Sequence, residues 1–225
     1  MAEKGSKRVY LDYLKLVGIT HVPMVPRGDD SNPVSDEKLE RKGEQLTLLV
    51  EKIGNCTRCP LHEGRTNLVF GTGNPEGKIF FIGEGPGFNE DQKGEPFVGA
   101  AGKRLDRWIT RIGCQREDVY IANVVKCRPP GNRTPLSVEA ATCLPFLREQ
   151  IRIVSPPIIV TLGGPALNYL LTRKEKITRV RGTFFEYEGI PMLATYHPAY
   201  ILRNPGREVE VMDDLEKITR FLSGL

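Results

Sequence analysis

Four short apolar runs mark the middle and end of the chain: KIFFIG at 78–83, VYIANVV at 119–125, PIIVTLG at 157–163 and PMLATY at 191–196. None alternates apolar with polar residues, and β-branched and aromatic residues are frequent, as in strands buried on both faces. Between the runs apolar residues recur at helical spacing. Leu46, Leu49, Val50 and Ile53 predict one amphipathic helix, and Leu105, Trp108, Ile109 and Ile112 a second. Ala140, Leu144, Leu147 and Ile151 predict a third, and Val211, Leu215, Ile218 and Leu222 a last one. Strands alternating with helices imply βαβ crossovers. The expected fold class is α/β, a three-layer αβα sandwich around a central, mostly parallel four-stranded sheet. In such folds ligands bind beyond the carboxyl ends of the strands.

The pattern becomes regular near Asp36. Before it, the stretch from Pro23 to Pro33 is dense in Pro, Gly, Asp, Asn and Ser, which reads as a linker. Residues 1–45 are therefore assigned to an N-terminal extension and 46–225 to one domain. With 40% hydrophobic and 27% charged residues in 225, the chain has the balance of a globular protein with a substantial core. No run is long enough for a membrane span, and the N-terminus lacks the apolar core of a secretory leader. A cytoplasmic protein without membrane contact is expected. The net charge of +4 suits an anionic partner without specifying one.

Three segments at strand ends carry unusual chemistry. GEGPGFNEDQKGEPFVGAAG (83–102) follows the first strand. Gly83, Gly85 and Gly87 allow tight bending and close approach to a ligand. A dinucleotide fingerprint would need glycine where Phe88 stands, so a nucleotide cofactor is a poor reading. Phe97 sits in a loop between Pro96 and Val98, where an aromatic can stack on a planar ligand. In IANVVKCRPPGNRTP (121–135), Asn123 falls near the end of a buried strand. An amide there is costly unless paired, and it can match a pyrimidine edge or simply bond neighbouring backbone. In TYHPAYILRNPGR (195–207), His197 sits at a strand end before Pro198, and the apolar Tyr200-Ile201-Leu202 tip followed by Arg203 and Asn204 has the character of a wedge that unstacks bases. The Gly-Gly turn in TLGGPALNYLL (161–171) fits a phosphate-binding helix start or a plain packing turn. RKEKITRVR (173–181) sets five basic residues against one acidic, a solvated face or a set of phosphate contacts.

Five cysteines, an odd number, argue against a disulfide framework. Cys56 and Cys59 form a Cys-x-x-Cys pair, with Cys127 and Cys143 far downstream. By spacing alone these four fit zinc or an iron–sulfur cluster. Cys114, at the end of the Trp108 helix, reads as a buried bystander.

Taken in order, GEGPG, PFVG, NVVKCRPPGNR and HPAYILRN resemble the family 4 uracil-DNA glycosylases, the iron–sulfur class. The resemblance runs from about Leu46 to the C-terminus. It implies a monofunctional base-excision repair enzyme that flips uracil out of single- or double-stranded DNA and hydrolyses its N-glycosidic bond, acting as a monomer. It also implies a 4Fe–4S cluster on Cys56, Cys59, Cys127 and Cys143. Uracil would be bound by Gly85, Gly87, Phe97, Asn123 and His197, and DNA by Arg128, Arg133, Leu202 and Arg203, with residues 173–181 adding phosphate contacts. His197 would stabilise the departing base. For the carboxylate that positions water, Gly85 stands where other families in the superfamily keep Asp, which leaves Glu84 and Glu90. Glu90 has a second reading, as a guard against the thymine methyl group. The other readings of the chain are a glycosylase accepting a broader set of deaminated bases, a non-enzymatic nucleic-acid-binding module with a structural metal site, and an electron-transfer protein.

Overall fold

A computed structural model describes residues 36–225, and the side chains from residue 41 onward. The linker and most of the expected extension lie outside the described residues. Helix α1 spans Asp36–Ile53, so regular structure starts ten residues before the boundary expected at Leu46. Lys42 explains the difference. Its ammonium donates to the carbonyl of Val154 at 2.7 Å and pairs with Glu76 at 2.7 Å, which docks the helix one turn ahead of the buried Leu46.

The chain then forms β1 (Thr72–Gly73), β2 (Ile79–Gly83), α2 (Phe88–Lys93), α3 (Ala100–Arg111) and β3 (Tyr120–Asn123). It continues through α4 (Ser137–Val154), β4 (Ile158–Leu162), α5 (Gly164–Leu171) and α6 (Ile177–Val180). The last elements are β5 (Phe184–Tyr187), β6 (Ile190–Thr195), α7 (Pro198–Arg203) and α8 (Glu208–Ser223). Strand order is β1-β3-β2-β4-β6-β5. The four strands expected from the apolar runs are β2, β3, β4 and β6, all mutually parallel.

Two antiparallel edge strands make the sheet six-stranded rather than four. The β5–β6 hairpin turns on Glu188 and Gly189, both at positive φ, the geometry that two-residue hairpin loops require. β1 is two residues long and too short for periodicity to register.

Burial divides the strands residue by residue. Phe80 and Ile82 face one cluster with Leu46, Leu49, Ile53, Leu147 and Leu167, while Ile79 and Phe81 face another with Leu105, Trp108, Leu215 and Ile218. Period-two alternation thus sends apolar side chains into both helical layers, so the central strands carry no polar face. This is the expected three-layer sandwich. Val50, expected on the buried face of α1, is 43% exposed; Leu46, Leu49 and Ile53 suffice to seat the helix. Cys114 is buried, as expected.

Because β2, β3, β4 and β6 are parallel, their carboxyl ends share one edge of the sheet. Gly83 pairs with Asn123 across β2 and β3, and Leu162 with Thr195 across β4 and β6. The chemistry-bearing loops all leave from this edge.

Candidate active site and cysteine cavity

The floor of the site is defined by the absence of a side chain. A Cβ on Gly83 would lie 2.3 Å from Oδ1 of Asn123 and 2.7 Å from the ring of Phe97. Gly83 has ordinary φ, as do Gly85 and Gly87, so these glycines serve close approach rather than a special turn. At Gly85 the neighbour is Val125, 2.8 Å from where a Cβ would be. The backbone after β2 therefore packs flat on the segment after β3.

Asn123 is buried, and its Oδ1 has no hydrogen-bond partner. An orphaned buried acceptor costs about 1–3 kcal/mol, and few survive in folded proteins without a reason. The backbone carbonyl of Asn123 is held by the ammonium of Lys126 at 2.8 Å, which fixes the residue while leaving the amide oxygen open.

Phe97 is the second wall. Its φ of +53° places a bulky residue in the left-handed region, a conformation that persists only where surroundings over-determine it. Three devices do so. Both oxygens of Glu90 accept backbone N–H groups, Oε1 from Val98 and Gly99 at 3.0 Å each and Oε2 from Gly87 at 3.1 Å. Arg116 donates to the carbonyl of Pro96 at 2.6 Å. Gly102 admits the Phe97 carbonyl, which would lie 1.7 Å from a Cβ there. The ring ends buried against His197, centroids 5.6 Å apart.

His197 caps α7, its Nδ1 accepting from the N–H of Ala199 at 3.1 Å. An Nδ1 used as acceptor leaves the proton on Nε2. Burial, reinforced by the Arg203 cation and opposed by Glu90, lowers the pKa of His197 to about 4. The imidazole is thus a neutral Nε2–H donor at physiological pH. Gly163, at φ +92°, leaves space beside it, since a Cβ there would approach Cβ of His197 to 3.1 Å. The Gly-Gly turn after β4 is accounted for by this packing. At its far end, the tip of α7 exposes Leu202 and Arg203.

The two acidic residues differ. Glu90 has its carboxylate occupied by backbone. Glu84 is partly buried, and burial raises its pKa against an opposing hydrogen bond from Thr134.

Among the expected DNA contacts, Arg128 donates through Nε to Oδ1 of Asn132 at 2.7 Å and lies over Phe88. Arg133 forms a bidentate pair with the buried Glu139 at 2.7 and 2.8 Å, so it clamps the RPPGNR loop to the start of α4. Within 173–181, Arg181 turns inward to the buried Asp214 and Arg173 pairs with Glu175 at 3.0 Å. The number of cations this segment offers to phosphates is smaller than its composition suggests.

The four cysteines singled out by spacing meet at a second location. Cys56, Cys59, Cys127 and Cys143 line one cavity with His62, Arg65, Lys126 and Phe146. No three Cys, His, Asp or Glu side chains among the described residues close on a single ion-sized point. Cations surround the sulfurs: Arg58 donates to Sγ of Cys56 and Arg65 to Sγ of Cys127, each at 3.1 Å. Lys126 is fully buried, its other partner the amide oxygen of Gln150 at 2.5 Å. Burial lowers its pKa to about 8. Burial pushes the Cys127 and Cys143 thiols the other way, Cys143 to about 11. A buried ammonium with only neutral partners, facing four thiols, is the setting for an anionic occupant.

Close approach was expected of Gly83, and packing was one of two readings of the turn at Gly163; Gly102 and the scaffold groups Arg116 and Lys126 were not visible as such in the sequence, because their roles leave no periodic or compositional mark. The Arg between the paired cysteines, Arg58, was the one signal in plain view.

The family described as the uracil DNA glycosylase superfamily matches residues 70–222. The type-4 uracil-DNA glycosylase of Thermotoga maritima is 47% identical over 183 residues, covering 80% of this chain and 95% of that protein. That of Archaeoglobus fulgidus is 43% identical over 183 residues, covering 78% and 92%. A type-5 uracil-DNA glycosylase of Pyrobaculum aerophilum is 27% identical over 191 residues, covering 70% and 84%. The chain belongs to the uracil DNA glycosylase superfamily and, within it, to the type-4 family.

Proposed function

We propose that this chain excises uracil from DNA, hydrolysing the N-glycosidic bond to leave free uracil and an abasic site. The observation that carries the reading is the unpartnered Oδ1 of Asn123, buried across Gly83 from the ring of Phe97. The N3–H of uracil would satisfy that acceptor while its plane stacks on Phe97. Cytosine has no hydrogen at N3, so the amide oxygen would stay unpaired, the kind of mismatch that discriminates strongly.

As the C1′–N1 bond breaks, its electron pair moves onto uracil and spreads to O2. The Nε2–H of His197 donates a hydrogen bond to that oxygen. A neutral donor suits this role, because charge develops only in the transition state and the imidazole need not lose a proton. Water then bonds to C1′ and passes its proton to Glu84, since the carboxylate of Glu90 is taken up by three backbone N–H groups. Glu90 positions the Phe97 loop. Lys126 is committed to Asn123 and Gln150, which agrees with hydrolysis rather than a Schiff-base route. Extrusion of the base costs a few kcal/mol, and the exposed Leu202–Arg203 tip would fill the space left in the stack. Arg128 and the outward cations of 173–181 would meet phosphates.

Cys56, Cys59, Cys127 and Cys143 would hold a 4Fe–4S cluster. Thiols spread around a cavity suit a multinuclear group better than a lone zinc, whose short bonds draw ligands to a point. When bound, the cluster would supply an anionic crosslink joining the end of α1, the segment after β3 and α4. Through Lys126, which lines that cavity and grips the Asn123 carbonyl, the crosslink also steadies the residue that reads uracil.

The test is a substrate panel. Wild-type protein is expected to release uracil from U·G, U·A and single-stranded U oligonucleotides, leave T·G intact, and produce strand breaks only after alkali. Binding of DNA without base release would overturn the enzymatic reading in favour of a binding module. Release of hypoxanthine at a rate comparable to uracil would broaden the substrate class.

A further inference from the structure

One aromatic near the site belongs to no core cluster. Phe88 opens α2 and is 54% exposed, whereas Phe97 in the same loop system is buried. The guanidinium of Arg128 lies 5.1 Å from its ring centroid, and the 2.7 Å hydrogen bond from Arg128 Nε to Asn132 fixes that guanidinium in place. Both residues rise from the pocket's own walls. Phe88 follows Gly83 by five residues, and Arg128 follows Asn123 by five. The two segments are packed together where Gly85 abuts Val125. Five residues reach at most roughly 17 Å, which is a few nucleotides from the flipped base.

We propose that Phe88, backed by Arg128, is a stacking platform for a nucleobase beside the flipped uracil. The inference rests on the glycosylase reading and extends it to the neighbouring nucleotide. An exposed aromatic ring ordered by a fixed cation offers a π face at little entropic cost, and bases stack on such faces without regard to sequence. Arg128 then serves two ends, since its charge meets the backbone while its plane holds the ring. The platform favours substrates whose neighbouring base can unstack, so it contributes more to binding single strands than duplexes.

The probe is a single-stranded oligonucleotide with a tetrahydrofuran abasic analogue flanked by 2-aminopurine, bound by wild type, Phe88→Ala, Phe88→Leu and Phe88→Trp. Phe88→Ala and Phe88→Leu are expected to weaken binding roughly five- to a hundredfold and to abolish the wild-type change in 2-aminopurine fluorescence. Phe88→Trp should retain both. The leucine variant keeps apolar volume without a π face, and unchanged melting temperatures confirm that the exposed site tolerates the changes. Equal affinity and equal fluorescence across all four proteins would overturn the platform and leave Phe88–Arg128 as a surface pair that stiffens the loop. Because the probe contains no uracil, that failure is distinct from a failure of wild type to release uracil, which would overturn the underlying reading.

Discussion

The pocket at the strand ends and the cavity lined by cysteines are built on opposite principles, although Lys126 touches both. The pocket is made by removal. Glycines at 83, 102 and 163 clear space, a strained Phe97 is wedged into it, and one acceptor is left unsatisfied. The groups that would meet the base are neutral: an amide oxygen, an aromatic face and an imidazole held uncharged. The cavity is made by accumulation, with four thiols and the cations Arg58, Arg65 and Lys126 gathered at one place. A neutral, planar base suits the first and an anionic cluster the second. The pocket should therefore fail sharply under small steric changes, whereas the cavity should fail through charge and stability.

Gly83→Ala should have the greatest consequence. Its methyl would sit in the space between Asn123 and Phe97, and uracil release should fall by about three orders of magnitude or more. Overpacking of this kind costs about 1–3 kcal/mol of stability, so thermal melting should show a folded protein. Full activity in Gly83→Ala would mean that Gly83 is not the pocket floor.

Next comes Cys59→Ala or removal of iron by a chelator. The remaining thiols would then lose the crosslink that joins them and the buried ammonium its counter-charge, and the melting temperature should drop by about 5–15 °C. DNA affinity should fall with it. If iron content, melting and DNA affinity were all unchanged in Cys59→Ala, the cavity would lose its assigned role.

The pH dependence should be the weakest of the three. The pKa of His197 is about 4 in the fold against 6.5 unperturbed. Between those values the unfolded chain binds the extra proton and the folded chain does not, so this contribution is full above pH 6.5 and lost as pH falls toward 4, on the order of 1–3 kcal/mol. The rate should show no inflection near 6.5. Its acid limb should instead follow Glu84, whose carboxyl titrates above the usual range. His197→Gln should flatten the stability profile in that window, as read by denaturant melts across pH.

The sequence revealed the two regions unequally. The four parallel strands were legible because uninterrupted apolar runs mean burial on both faces, and the four cysteines because their side chains announce a chemistry wherever they fall. Asn123, Phe97 and His197 stood out because each residue type is anomalous at its position. β5 was missed although FFEY, Glu188-Gly189 and IPML form a hairpin pattern. β1 carries no pattern to find. The scaffold was illegible for a deeper reason: Glu90 looked like chemistry because it is acidic and close to the motif, yet its three backbone hydrogen bonds exist only after the loop has folded. Likewise Arg133 and Arg181 looked like phosphate ligands, and only tertiary packing pairs them with Glu139 and Asp214.

Single-turnover release of uracil from a single-stranded oligonucleotide with one central U, by wild type, Asn123→Ala and His197→Ala, probes the pocket most directly. Wild type should release the base, and each variant should be slower by about two to three orders of magnitude, the loss expected for one well-placed transition-state or recognition hydrogen bond. Variants that fold, bind the DNA and release uracil at the wild-type rate would contradict the assignment of this pocket.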